Sequence, residues 1–81
     1  MKYFVYILRS LKNNFISVGS SQDVDMRLKL HNSRKVKSTR AYVPWQLLEV
    51  REFDSRSDAV KMEKFLKTGQ QKEILKKKYL R

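Results

Sequence analysis

From Lys2 to Arg9 the chain reads KYFVYILR, a run rich in β-branched and aromatic residues, which predicts a strand. Leu11 to Asn14 holds two asparagines, which tolerate left-handed backbone and favour a turn. Phe15 to Ser20 reads as a second strand, so the first two strands form a hairpin. Gly19 near its end permits a bulge or a close backbone approach. A helix follows. Ser20 or Ser21 is placed to cap it, and Asp23 and Asp25 sit in the first turn, where the helix dipole favours negative charge. Val24 and Leu28, four apart, face the core, and Asn32 and Ser33 end the helix. The basic stretch onward to Tyr42 has little apolar pattern and reads as an exposed loop closed by Pro44. Trp45 to Phe53 resumes a β-prone run, the third strand.

Ser55 precedes Asp58 by three, resembling a capping box with Asp in place of Glu. Ala59, Met62, Phe65 and Leu66 follow at helical spacing, and Gly69 suits the C′ position, where positive φ is needed. A last helix runs from Gln70 or Gln71 to about Tyr79, with Ile74, Leu75 and Tyr79 as its apolar stripe. The predicted fold is α/β of the α+β kind, in the order β-β-α-β-α-α. Its small, mainly antiparallel three-stranded sheet needs helices to cover it.

Length and charge narrow the function. The 81 residues suit a single domain spanning 1–81, which buries roughly 60–65% of the surface its unfolded chain exposes. There is no cysteine, so neither a disulfide nor a thiolate metal site supplements the core. The run Tyr3 to Leu8 is too short for a signal-peptide core or a membrane span. A cytoplasmic protein that does not use a membrane is the expectation. The formal net charge is +11. Between Asn32 and Val43, Arg34, Lys35, Lys37 and Arg40 stand without an acid, and from Lys61 to Arg81 eight basic residues face only Glu63 and Glu73. Such an excess costs self-repulsion, so a polyanionic partner, nucleic acid above all, is inferred over a merely solubilising surface. DNA is favoured over RNA, and the oligomeric state is left open.

One histidine and no cysteine cannot form an ordinary catalytic zinc site. No Gly-rich phosphate loop or nucleophile elbow is present. Phosphodiester chemistry asks for less: one carboxylate for a hydrated Mg²⁺, a base for water, and an arginine for the phosphate. Phe4-Val5-Tyr6, then Ser17-Val18-Gly19, then Gly-Ser-Ser-Gln-Asp leading to Arg27 and His31, then Glu63 within MEKFLK, follow one another in that order. With the run VKSTRAYVPWQLL, this succession resembles the GIY-YIG nuclease superfamily, in its small stand-alone form, over nearly the whole chain.

The resemblance implies a nuclease using one Mg²⁺ or Mn²⁺. Carried over by position, Glu63 holds the metal, Arg27 contacts phosphate, Tyr6 takes part in water activation, and His31 is the often-seen histidine one turn after the arginine. Arg34, Lys35, Lys37 and Arg40 become phosphate contacts, which position a strand without reading its sequence. The main departure is Ser17, which stands where a second tyrosine is expected. If that tyrosine is the main base, its loss lowers the rate by roughly 10²–10⁴. Phe4 also replaces a glycine, and no asparagine occurs after Asn32. Two functions are therefore weighed: a nuclease, and a non-catalytic DNA- or RNA-binding module that keeps the fold and the charge. Each residue also has a plainer reading. Tyr6 and Trp45 suit a core, Arg27 and His31 a helix surface, Ser17 any strand, and Glu63 an i,i+4 pair with Lys67.

Overall fold

Strand β1, Tyr3–Ser10, lies in the middle of the sheet because both its faces are apolar. The structure, a computed structural model, describes residues 1–80, so Arg81 of the basic tail falls outside them. β2, Ile16–Ser21, and β3, Trp45–Phe53, flank β1 in the order β2-β1-β3, and both pairings are antiparallel. The β1–β2 turn uses Asn14 in left-handed backbone, with φ 57°, and the buried Ser10 hydroxyl accepts from the amides of Lys12 and Asn13. In the β1–β3 ladder, Ile7 faces Glu49 while Leu8 faces Leu47, so β3 carries one extra residue there.

Alternation along β1 sends Val5 and Ile7 to one face, and Tyr6 and Leu8 to the other. On the first face the helices α2, Arg56–Leu66, and α3, Gly69–Tyr79, bury Ala59, Leu66 and Leu75 against Val5, Ile7, Ile16 and Val18. On the second, helix α1, Val24–Asn32, packs Val24 and Leu28 over Tyr6, Leu8 and Trp45. The GIY-YIG-like order β-β-α-β-α-α is the observed one. Among the described residues, no helix is long and apolar enough to cross a membrane.

Several local expectations are corrected. The cap of α1 is Asp23, whose carboxylate accepts from the Met26 amide at 3.0 Å, and not Ser20 or Ser21. Ser21 instead bonds the Asp23 backbone just ahead of the cap. Ser55 caps α2 as expected, accepting from the Asp58 amide. Gly69 is no C′ residue: α2 closes on Lys67, and Gly69 opens α3 without a positive φ. Phe65 and Ile74 do not join the core but stay half exposed, because Leu66 and Leu75 take the inward positions. The stretch before β3 is not wholly an exposed loop. It contains a 3-10 turn, Arg40–Tyr42, and buries Thr39.

Candidate active site

β2 is an edge strand, and the candidate residues gather around its free side. Tyr6 and Ser17 lie on the α1 face of the sheet, since Tyr6 pairs with Gly19 and Leu8 with Ser17 in the ladder. Arg27 and His31, four apart, share one face of α1. Glu63 comes from α2, which covers the opposite face of the sheet. A cleft of about 370 Å³ reaches across the edge of β2, and Tyr6, Ser17, Arg27, His31 and Glu63 all line it. The predicted constellation is therefore assembled around a sheet edge rather than over a sheet face.

Gly19 makes this meeting possible. A Cβ built there would collide with the Tyr6 hydroxyl and the ring carbon that bears it. With hydrogen alone at this position, the Tyr6 phenol lies against the β2 backbone and reaches the cleft.

Tyr6 and His31 are nearly fully buried, at 3% and 4% exposure, and their rings meet edge to face. Tyr6 Oη is 3.2 Å from His31 Nε2, and His31 Nδ1 is 2.7 Å from Thr39 Oγ1. The Thr39 hydroxyl donates to the Val36 carbonyl at 3.4 Å, and its backbone carbonyl accepts from Trp45 Nε1 at 3.1 Å. The tautomer that satisfies every donor carries its proton on Nδ1, donated to Thr39, and accepts the Tyr6 hydroxyl proton at Nε2. Burial, and then the Arg27 charge, holds the His31 pKa below 6.5, so the imidazole is neutral at pH 7.

Arg27 Nε is buried and has no hydrogen-bond partner among the described residues. An unpaired guanidinium N–H costs stability unless a ligand supplies the acceptor. Glu63 Oε1 accepts from the Ser20 hydroxyl at 2.6 Å, and Oε2 pairs with Lys67 Nζ at 2.8 Å. Burial opposes its ionised form, but the bonds from Lys67 and Ser20 and the charges of Lys67 and Lys64 outweigh it, so its pKa lies below the ordinary carboxylate value. Among the described residues no three His, Asp or Glu side chains form a metal cage. A single ionised carboxylate in an open polar cleft fits Mg²⁺ or Mn²⁺, which keep most of their waters and take further oxygens from a phosphate.

Arg34, Lys35, Lys37 and Arg40 are exposed and do not line the cleft, whereas their neighbours Val36, Ser38 and Thr39 do. Three further contributors escape a reading of the sequence. Ser20 looks there like a cap, but alternation turns it toward α2. Thr39 carries no local signal at all. Lys67 is visible only as the i,i+4 partner of Glu63. Trp45 is core, at 4% exposure, as its plainer reading has it.

The GIY-YIG catalytic domain, as a sequence family, matches residues 2–79. The chain belongs to the GIY-YIG family. Among its relatives, it is 32% identical to the UPF0213 protein SSP2268 of Staphylococcus saprophyticus over 93% of this chain and 92% of that one. It is 36% identical to the UPF0213 protein YsiG of Lactococcus lactis, over 82% of this chain and 64% of that protein. The solution NMR structure of the UPF0213 protein BH0048 from Bacillus halodurans superposes with a TM-score of 0.57 at 34% identity, covering 98% of this chain and 86% of that one. The family match places it in a nuclease-like superfamily.

Proposed function

We propose that the chain is a divalent-metal-dependent nuclease acting on nucleic acid, DNA ahead of RNA. The observation that carries this reading is the single cleft lined by Tyr6, Arg27, His31 and Glu63. Glu63 would hold one Mg²⁺ or Mn²⁺, which when bound supplies Lewis-acid stabilisation of charge on the phosphate. The Arg27 guanidinium, which lines the cleft and whose Nε has no partner among the described residues, would donate to a phosphate oxygen. His31 Nε2 takes the phenolic proton of Tyr6, and the resulting phenolate takes a proton from the attacking water. Thr39 holds the imidazole in the tautomer this step needs. Ser17 cannot substitute for a second phenol, because its hydroxyl is shorter and far less acidic. The exposed Arg34, Lys35, Lys37 and Arg40 would contact phosphates outside the cleft.

A supercoiled-plasmid nicking assay with Mg²⁺ and Mn²⁺ tests this reading. Nicking is expected in wild type and is abolished in Glu63→Ala. Nicking that survives Glu63→Ala refutes the assignment. The serine at position 17 favours a second reading, a binding module without catalysis. That reading prevails if nicking appears only once Ser17→Tyr is introduced, or never appears while nucleic acid still binds.

A further inference from the structure

The cleft does not end at Ser17. Next to it along the free edge of β2 lies a second hollow of about 300 Å³, and Ser17, Ser38 and Thr39 line both. Its floor is aromatic. Phe15 packs on Tyr42 with ring centroids 4.9 Å apart, yet keeps 47% of its surface open. Lys72 and Lys76, one turn apart on α3, form its far wall; Glu73 pairs with Lys76 at 3.7 Å, but among the described residues no carboxylate lines the hollow itself. At the other end of β2, beyond Glu63, a third hollow shares Ser20 and Glu63 with the cleft and is flanked by Arg56. A trough with cations at both ends and an aromatic patch beside the cleft therefore runs along the strand. Six residues of β-strand span about 20 Å.

We propose that the Phe15–Tyr42 hollow is a nucleobase subsite, which takes one unpaired base stacked on Phe15 while Lys72 and Lys76 hold the adjoining phosphate. This rests on the nuclease reading and narrows its substrate to strands with unpaired or extruded nucleotides. A duplex keeps its bases stacked inward, so only an unpaired or flipped base presents an open face to an aromatic ring. Ser17 is part of the device. Its small side chain stands on the wall common to cleft and hollow, and a tyrosine there would narrow the way between them. An edge strand also invites an extended peptide, but two lysines on this wall against one flanking acid, Glu73, favour a polyanion.

Fluorescence titration with a single strand of about 12 nucleotides, inside the usual range of single-strand site sizes, tests the subsite. The strand carries 2-aminopurine, whose emission is quenched by stacking, and a blunt duplex of the same sequence is titrated alongside. Wild type and Phe15→Tyr are expected to quench the probe. Phe15→Leu, which keeps an apolar side chain against Tyr42, loses the quench and weakens single-strand binding roughly tenfold, with duplex binding unchanged. The double variant Lys72→Gln and Lys76→Gln weakens the single strand more than the duplex. Quenching and affinity indifferent to Phe15→Leu overturn the subsite, as does an equal loss for both nucleic acids in the lysine variant. An uncharged extended peptide bound in preference to the strand assigns the edge to β-addition and overturns it too. If neither the single strand nor the duplex binds, the nuclease reading falls with it; if the duplex binds and the single strand does not, the subsite alone falls. If strands are cut in a Glu63-dependent way without regard to Phe15, the subsite alone falls.

Discussion

His31 shows how a residue's meaning depends on its neighbours. A lone histidine one turn after an arginine is compatible with a solvated helix end, yet here it is held between a phenol and a threonine hydroxyl. Burial, then Arg27, lowers its pKa from 6.5, and the sign of the consequence follows. Below pH 6.5 the unfolded chain binds a proton that the folded chain refuses, so this contribution to stability is lost as pH falls through the depressed folded value. Protonation also fills Nε2, the site that accepts the Tyr6 proton. An NMR titration of the His31 ring is expected to give a midpoint below 6.5, with the acid limb of any nicking activity at the same pH. A midpoint above 6.5 would contradict the burial argument. Glu63 makes the complementary case. Sequence marks it as a carboxylate in a basic stretch, but only the fold brings it the Ser20 hydroxyl from 43 positions away.

At the scale of elements, the helices and the Ser55 cap of α2 were legible, but the cap of α1 and the end of α2 were not. Asp23, rather than either serine before it, satisfies an open amide of α1, since a carboxylate at the residue just ahead of the first turn both accepts and complements the dipole. Asp23→Ala is expected to cost about 1 kcal/mol. In a domain this size that lowers Tm by roughly 4–8 °C, measurable by calorimetry. Ser20→Ala should leave α1 intact and disturb Glu63 instead. α3 is held differently. It has one buried leucine, Leu75, and near its end Tyr79 donates to Glu49 of β3 at 2.6 Å. The apolar stripe expected from Ile74, Leu75 and Tyr79 is thus narrower than its sequence implied, because the sheet is too small to receive Ile74 as well. Helical periodicity identifies which residues share a face, but the width of the surface beneath decides how many of them are buried.

Across the whole molecule, charge and topology act together. The net charge of +11 is carried mainly by exposed side chains, which suits counterion release from a bound polyanion. Log affinity for duplex DNA is expected to fall linearly with log salt. Replacing Arg34, Lys35, Lys37 and Arg40 by Gln is expected to shallow that slope by about 0.9 for each phosphate no longer neutralised. A salt-independent affinity would remove the nucleic-acid reading. The sequence by itself determined the succession of strands and helices, the shared face of Arg27 and His31, and the family, because propensity, alternation and i,i+4 spacing act over a few residues. Tertiary structure alone decided that β2 lies at the edge of the sheet, that α1 and α2 cover opposite faces, and that their side chains meet around that edge. Ladder pairings between distant segments fix those relations, together with a glycine small enough to let a phenol pass over the strand, and no local pattern encodes which strands become the edges.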